Sequence, residues 1–159
     1  MLLPDTLADK RILITGGGTG LGKAMGQRFL ELGANLVICG RREPVLKETA
    51  EEFATVSGRP TVWFSCDIRE PDAVAAMLNE IWREGPLDGL VNNAAGNFIS
   101  PTERLTPKAF DVVVDIVLKG TYNYSLLLGK YWIKEKQAAT ILNIVTTYAW
   151  TGSAFVAPS

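Results

Sequence analysis

The sequence predicts an α/β protein built on a doubly wound parallel sheet with helices on both faces. Five short apolar runs alternate along the chain with four segments whose apolar residues recur at helical spacing. A glycine-rich turn joins the first run to the first helical segment, as at the start of a nucleotide-binding βαβ unit. Polar residues gather directly after the runs, at the strand ends where such sheets bind ligands. Because crossover connections are right-handed, the helices are expected in two outer layers, which gives a three-layer α/β/α domain.

The first two strand-helix units are marked by buried apolar runs and by amphipathic segments that follow them. A strand over about Arg11 to Thr15 precedes a helix over about Leu21 to Leu32, and Gly33 ends that helix as a C-cap glycine does. The apolar run Asn35 to Cys39 predicts a second strand. The segment over about Glu43 to Val56 is predicted to be helical because its apolar residues share one face.

The later elements follow the same alternation. A third strand over Thr61 to Cys66 precedes a helix that opens at Glu70-Pro71-Asp72, with proline in its first turn. Leu87 to Val91 is a fourth predicted strand. A long helix is expected from Thr106-Pro107 to near Lys136, and a fifth strand follows over Thr140 to Val145. After this strand the chain is expected to loosen into irregular structure.

The turn from Thr15 to Gly22, which reads TGGGTGLG, predicts a nucleotide site. The pattern G-x-G-x-x-G fits in no register, whereas T-G-x-x-x-G-x-G fits with Gly16, Gly20 and Gly22 in the fixed places. Glycine is needed there because the backbone must turn sharply and approach a pyrophosphate closely. The helix that follows then points its free N–H groups and positive dipole end at the phosphates. The alternative is a glycine-rich surface turn that binds no ligand.

Composition narrows the possible functions. The chain has 159 residues, 47% of them hydrophobic, and 16 basic residues balance 17 acidic ones, so nothing favours nucleic acid or an acidic membrane surface. Histidine is absent, which excludes a His-based triad and a His metal ligand within the chain, and no metal is expected. Cys39 and Cys66 are expected to be buried, reduced thiols. No signal peptide and no membrane span are visible, so the cytoplasm is expected, or an organelle matrix if an upstream presequence was removed.

Arg41 and Arg42 follow the second strand, about 20 residues past the glycines, and indicate the cofactor. At this place a carboxylate would bind the ribose 2′-OH of NAD, whereas a guanidinium pairs with the 2′-phosphate of NADP. We therefore expect NADP(H). The alternative is a solvated arginine pair at the start of a helix.

Two further segments carry a resemblance to a known family. Asn92 to Gly96, NNAAG, resembles the N-N-A-G element of the short-chain dehydrogenases/reductases, for which the glycine pattern above is also typical. The resemblance covers most of the chain and implies a Rossmann-like fold. The segment Ala95 to Leu105, AGNFISPTERL, and the later T-T-Y-A-x-T-G-S resemble the 2,4-dienoyl-CoA reductase branch. This branch implies NADPH-dependent reduction of a 2,4-dienoyl-CoA to a 3-enoyl-CoA in fatty acid β-oxidation.

The catalytic residues implied by the resemblance depart from the family's common Ser-Tyr-Lys set. The usual serine position falls at Thr146 and the usual tyrosine position at Ser159. An asparagine usual in the long helix is Asp115 here. The dienoyl-CoA reductases resemble this layout, with a displaced tyrosine that matches Tyr148 and an asparagine that matches Asn97. Those two are the expected catalytic residues, and the alternative for Tyr148 is a loop aromatic packed on the core.

The resemblance also implies binding residues. For the cofactor these are Gly16, Gly18, Thr19, Gly20, Leu21, Gly22, Arg41, Arg42, Asp67, Asn93, Ala94 and Gly96. For the acyl-CoA substrate they are Arg69, Phe98, Thr106 and Ser159. Asp67 would face the adenine amino group, and Arg69 would pair with a CoA phosphate. The alternatives are that Asp67 is a helix N-cap, that Thr106 caps the long helix, and that Arg69 is solvated.

The resemblance implies a homotetramer assembled partly through the long helix. Tyr122, Tyr124, Tyr131 and Trp132 in that helix are expected to pack rather than to bind ligand. Residues 1–159 are expected to form one NADP-binding domain, the N-terminal part of a longer reductase that continues with S-x-x-x-K. The reason is that five strands leave the far edge of the sheet unpaired. Two other functions stay open: a carbonyl or 3-oxoacyl reductase of the same fold, and a non-catalytic NADP-binding module.

Overall fold

Five parallel strands form the sheet at the centre of the structure, in the order β3-β2-β1-β4-β5. The structure is a computed structural model that describes residues 3–158. The strands are β1 (Arg11–Thr15), β2 (Asn35–Gly40), β3 (Val62–Ser65), β4 (Gly89–Asn92) and β5 (Thr140–Asn143). The helices are α1 (Gly20–Glu31), α2 (Glu43–Ser57), α3 (Pro71–Arg83), α4 (Pro107–Val114), α5 (Gly120–Glu135) and α6 (Tyr148–Thr151). A 3₁₀ turn covers Thr102–Arg104, and a π-helical segment covers Asp115–Lys119.

The two faces of the sheet carry two separate parts of the hydrophobic core. On one face Leu13, Val37 and Leu90 pack against side chains of α3 and α5. On the other face Ile14 and Ile38 pack against side chains of α1 and α2. Successive residues alternate between the faces because strand side chains have a period of two. The predicted doubly wound, three-layer α/β/α arrangement is confirmed.

The order of the strands reverses on either side of β1, which lies between β2 and β4. The chain first builds outward through β2 to β3, and then continues on the opposite side of β1 with β4 and β5. In parallel sheets of this kind, ligands bind in the crevice outside the carboxyl ends at the reversal point. The turns that follow β1 and β4 therefore meet where a ligand is expected.

The long helix predicted from Thr106-Pro107 to near Lys136 is interrupted. The π-helical segment separates α4 from α5, which begins at Gly120. A Cβ atom on Gly120 would lie 2.4 Å from Cδ1 of Ile68, so the helix passes very close to the loop after β3. π-Helical turns inside α-helices are frequent at functional sites. Here the turn brings Ile116 into the lining of the cleft described below.

The fifth strand and the segment after it also differ from the sequence-based expectation. β5 forms one edge of the sheet and ends at Asn143 instead of Val145. Its four side chains are exposed because no helix within residues 3–158 packs closely on it. The chain beyond it was expected to be irregular, but α6 forms one helical turn that begins at Tyr148. Tyr148 is therefore held by a short regular element just past the end of β5.

Both cysteines are free and buried, as the sequence predicts. Cys39 Sγ lies 3.2 Å from the hydroxyl of Tyr124, and burial raises the pKa of the Cys39 thiol to about 12. The thiol is therefore protonated at neutral pH. Tyr124 and Trp132 are buried, as expected for packing residues, whereas Tyr122 is 60% exposed on the outer side of α5.

Candidate cofactor cleft and catalytic donors

A cleft of about 330 Å³ opens at the carboxyl ends of β1 to β4. Its lining consists of Gly16, Gly18, Thr19, Leu21, Gly40, Arg41, Arg42, Val45, Leu46, Cys66, Asp67, Ile68, Asn93, Ala94, Ala95 and Ile116. Most of the residues predicted to bind the cofactor are among these. Gly20, Gly22 and Gly96 are predicted cofactor residues that do not line the cleft. The cleft therefore gathers residues from four separate turns, as the sequence pattern predicts.

The glycines of the first turn are required by its geometry. Gly16 and Gly20 have φ angles of +67° and +53°, in the left-handed region that favours glycine. A Cβ atom on Gly22 would lie 2.4 Å from the carbonyl oxygen of Gly16 and 2.6 Å from Nδ2 of Asn93. Gly22 thus shapes the turn from behind instead of lining the cleft. The backbone of this turn lines the cleft at Gly16 and Gly18, which fits the close approach of a dinucleotide pyrophosphate.

The start of α1 is a second feature that fits an anion. Its first turn has no acidic residue, and no side chain of residues 3–158 caps it. The hydroxyl of Thr19, at the cap position, instead accepts a hydrogen bond of 3.2 Å from Nη2 of Arg42. Free N–H groups and the positive end of the helix dipole favour negative charge. With Arg41 and Arg42 beside them, the cleft suits a ligand with several phosphate groups.

A hydrogen-bond network fastens the glycine turn to the end of β4. The Thr15 hydroxyl is 2% exposed and accepts hydrogen bonds from the backbone N–H groups of Asn93 and Ala94, at 3.0 and 2.9 Å. Nδ2 of Asn93 donates back to the carbonyl oxygen of Thr15 at 3.0 Å. The two turns are therefore held at a fixed distance across the crevice. Asn93 has this structural role, and its contact with a cofactor stays a prediction.

Asp67 lines the cleft on its β3 side and does not cap the helix that follows. The cap position of α3 is Glu70, three residues further on, and the Asp67 carboxylate accepts hydrogen bonds from Arg69. These hydrogen bonds are the main cause that lowers the pKa of Asp67. Asp67 is therefore an ionised acceptor in the cleft. Arg69 itself is held by this pairing instead of being freely solvated.

The two expected catalytic residues lie on neighbouring loops at the same edge of the sheet. Asn92 and Asn143, the last residues of β4 and β5, are paired in register, and their side chains are joined by a hydrogen bond of 2.8 Å. Asn97 and Tyr148 lie equally far along the chain beyond this pair. Further on, the N–H of Ser100 donates to the carbonyl oxygen of Phe155 at 3.0 Å. The two loops therefore form one connected structure.

Asn97 and Tyr148 both have donor groups available. Oδ1 of Asn97 accepts a hydrogen bond of 2.8 Å from the N–H of Phe98, which turns the amide so that Nδ2 keeps its donor capacity. Tyr148 is 46% exposed, so it is not the core-packed aromatic of the alternative interpretation. Within residues 3–158, neither Asn97 Nδ2 nor the Tyr148 hydroxyl has a hydrogen-bond partner.

The described residues assigned to the acyl-CoA come from three segments: Arg69 from the loop after β3, Phe98 from the loop after β4, and Thr106 from the start of α4. Thr106 accepts a hydrogen bond of 3.2 Å from the N–H of Ala109, so the helix-cap alternative describes its local role. Phe98 is 54% exposed on the loop after β4. Ser159 lies outside the described residues. Their contacts with a substrate stay predictions.

Sequence reasoning missed several residues of the cleft. Ile68 follows Asp67 and could have been proposed with it, because a residue next to a ligand contact often lines the same surface. Ile116 gave no signal, since its position depends on the π-helical turn. The same π-helical turn also holds an ion pair. Nζ of Lys119 lies 2.6 Å from Oδ1 of Asp115, and this contact raises the pKa of Lys119.

Two kinds of feature are absent from the described part of the chain. Residues 3–158 contain no group of three or more Cys, Asp and Glu side chains that could hold a metal ion. In the same range, no helix has both the length and the apolar character needed to cross a membrane.

The sequence profile of the short chain dehydrogenase family matches residues 10–158 of the chain. The chain belongs to this family. One relative of this chain is a Bacillus subtilis protein named as a probable 2,4-dienoyl-CoA reductase that produces the (2E)-enoyl-CoA. It is 43% identical over 151 residues, which cover 94% of this chain and 59% of that protein. The peroxisomal 2,4-dienoyl-CoA reductase of Rattus norvegicus, named as producing the (3E)-enoyl-CoA, is 37% identical over 153 residues, 96% of this chain and 52% of the rat enzyme.

A solved structure of a short-chain dehydrogenase from Bacillus anthracis has the same fold. It is 40% identical in sequence with a TM-score of 0.89, and the match covers 94% of this chain and 60% of that one. The chain spans about half the length of the curated relatives it matches. The expected resemblance to the 2,4-dienoyl-CoA reductase branch is confirmed by these relatives. Members of the family are oxidoreductases that bind nicotinamide cofactors.

Proposed function

We propose that this chain is the cofactor-binding part of an NADPH-dependent reductase that converts a 2,4-dienoyl-CoA to a 3-enoyl-CoA. The observation that carries the proposal is the pair of neutral donors, Asn97 Nδ2 and the Tyr148 hydroxyl, on joined loops at the cleft edge of the sheet. The names of the Bacillus subtilis and rat relatives support the substrate class. The glycine turn and the uncapped start of α1 support a dinucleotide.

The proposed task of the two donors is to stabilise negative charge on the substrate. NADPH held by the glycine turn, Arg41 and Arg42 would supply a hydride to the far end of the conjugated diene. The negative charge then moves along the chain to the thioester oxygen, where Asn97 and Tyr148 donate hydrogen bonds to the dienolate oxygen. Asp115 is unsuited to this task, because its carboxylate forms an ion pair with Nζ of Lys119 and offers no hydrogen-bond donor there. Protonation by water at the carbon next to the thioester completes the 3-enoyl product.

The experiment that tests the function is an assay of the full-length protein with a 2,4-dienoyl-CoA and NADPH. Consumption of NADPH and a 3-enoyl-CoA identified by NMR are expected. A 2-enoyl product would keep the reductase and move the site of protonation to the other end of the dienolate. Turnover of a 3-oxoacyl-CoA alone would favour the carbonyl reductase, and binding without turnover would favour the non-catalytic module.

NADPH is expected to bind more tightly than NADH, because Arg41, and Arg42 next to it, face the 2′-phosphate. Charge-assisted hydrogen bonds contribute about 1.5–3 kcal/mol, so the preference should be about 10- to 100-fold. Arg41→Asp should weaken or reverse it, whereas Arg83→Asp, on the exposed end of α3, should leave it unchanged. Titration of cofactor fluorescence measures both affinities. If the unmutated protein binds NADPH and NADH with equal affinity, the proposed preference for NADP(H) is wrong.

The proposal includes assembly and location. Leu118, Tyr122 and Ile133 are 66%, 60% and 80% exposed on the long helix, which supports its use as a contact between subunits of a homotetramer. Residues 1–159 are proposed to act as one NADP-binding domain. The compartment is proposed to be the cytoplasm or an organelle matrix, and the rat relative is named peroxisomal.

A further inference from the structure

The strongest polar arrangement outside the catalytic loops joins Asp67 and Arg69. Nε of Arg69 lies 2.9 Å from Oδ1 and 3.1 Å from Oδ2 of Asp67, and Nη2 lies 2.6 Å from Oδ2. The backbone N–H of Arg69 also donates to Oδ1 at 3.0 Å. One residue thus holds the carboxylate through its main chain and through two guanidinium nitrogens, which fixes both the position and the plane of the carboxyl group.

The two residues differ in their relation to the cleft. Asp67 lines it, whereas Arg69 does not. Arg69 therefore approaches the carboxylate from outside and leaves the cleft side of Asp67 open. An ionised carboxylate has about four acceptor positions on its two oxygens. Arg69 supplies three N–H groups, because the single Nε–H is shared between Oδ1 and Oδ2, so one acceptor position stays open. The oxygen pair can still accept a hydrogen bond from a ligand in the cleft.

We propose that Arg69 is a positioning residue, which holds the Asp67 carboxylate so that it accepts a hydrogen bond from the exocyclic amino group of the cofactor's adenine. The inference rests on the proposed dinucleotide binding and on the expected adenine contact of Asp67. It gives Arg69 a task in recognition of the base instead of the CoA phosphate contact expected from the resemblance. Without the Arg69 guanidinium, the Asp67 carboxylate keeps only the hydrogen bond from the backbone N–H of residue 69. Its plane is then less restricted, and fixing that plane on binding costs conformational entropy.

Charge around the pair supports the proposal. The hydrogen bonds from Arg69 are the main cause that lowers the pKa of Asp67, and the positive charge of Arg41 acts in the same direction. Asp67 is therefore a pure acceptor at neutral pH. The charges facing Arg69 are Asp67, Glu70 and Asp115, and all of them are acidic. A guanidinium surrounded by three carboxylates is suited to holding one of them, and is poorly placed to attract a further phosphate dianion.

Hypoxanthine provides the test, because it has a carbonyl oxygen where adenine has its amino group. The full-length protein is titrated with NADPH and with its hypoxanthine analogue, and both dissociation constants are measured by fluorescence. A carboxylate fixed by Arg69 should favour NADPH by about tenfold, since the analogue sets an oxygen against an ionised acceptor. Arg69→Gln should lower this ratio, because Asp67 then keeps only the backbone hydrogen bond from residue 69. Arg69→Lys keeps the positive charge but loses the paired guanidinium N–H groups, so it should give an intermediate ratio.

The outcomes are separable. Arg83→Gln, on the exposed end of α3, should keep the wild-type ratio. An unchanged ratio in Arg69→Gln overturns the proposal, and so does a wild-type protein that binds both dinucleotides equally. If Arg69→Gln raises the KM for the acyl-CoA and leaves the ratio of the two dissociation constants unchanged, Arg69 binds the substrate and does not position Asp67. If Arg69→Gln does not fold, the ratio in Arg69→Lys decides. Failure of the unmutated protein to bind any dinucleotide would refute the proposed function. The dissociation constants themselves are measured without turnover.

Discussion

Tyr148→Phe and Asn97→Ala are each expected to lower kcat for a 2,4-dienoyl-CoA by a factor of about 10²–10³, which is the usual effect of removing one oxyanion donor. The reason is that each side chain offers one uncommitted neutral donor, and the dienolate oxygen forms only as the hydride arrives. NADPH affinity should change little, because neither residue lines the cleft. Steady-state kinetics of the full-length variants, together with cofactor titration, measure both effects.

The matched control for the tyrosine is Tyr122→Phe. Tyr122 is also largely exposed, but it lies on α5 and not on either loop that carries a proposed donor, and phenylalanine keeps the ring that the proposed subunit contact would use. Its kcat should stay at the wild-type value. If Tyr148→Phe and Asn97→Ala both retain near-full turnover, the donors are wrongly assigned, and the proposed reaction loses the observation that carries it.

Gly22→Ala is expected to damage both the fold and cofactor binding. The added Cβ would lie 2.4 Å from the Gly16 carbonyl oxygen, so the turn and the start of α1 must move apart. Overpacking of this kind costs about 1–3 kcal/mol of unfolding free energy. A shift of the turn by about 1 Å can lower kcat/KM on the order of 10²-fold. Denaturant unfolding and steady-state kinetics give the two numbers.

Two other glycines separate the causes. Gly20→Ala meets no atom within 4 Å but keeps a φ of +53°, so it tests the backbone strain without the clash. Gly129→Ala, in the interior of α5, meets no atom and has no unusual φ, and it should stabilise the protein by about 0.5–1 kcal/mol. A Gly22→Ala variant as stable as Gly129→Ala would contradict the steric argument.

The elements that the sequence predicts well are those whose signals are local. β1 has the predicted bounds, Arg11–Thr15, because a buried parallel strand is a continuous apolar run ended by glycine. α2 begins at Glu43, as predicted, because Pro44 suits the first turn of a helix. The cleft residues of the turns after β1, β2 and β4 follow from the same reasoning, since carboxyl ends of parallel strands lie at one edge.

The features that the sequence does not predict depend on contacts between distant segments. The π-helical turn lies where Gly120 packs against Ile68, and neither residue indicates the other in the sequence. The exception is the pairing of Arg69 with Asp67, which joins residues two positions apart; the sequence leaves Arg69 either solvated or bound to a CoA phosphate. β5 ends early, at Asn143, because its partner β4 ends at the paired residue Asn92, although the apolar run continues to Val145.

The hydrogen bonds between the two loops make their lengths interdependent. Ser100 and Thr102 donate from their backbone N–H groups to Phe155 and Ala154, and the Thr102 hydroxyl donates to Ala154 as well. A residue inserted before Ser100 would shift this register and move Asn97 relative to Tyr148. The length of one loop can therefore be changed only together with the length of the other. For chimeras between relatives, residues 97–102 and 148–155 are one exchangeable cassette, although they come from different parts of the gene.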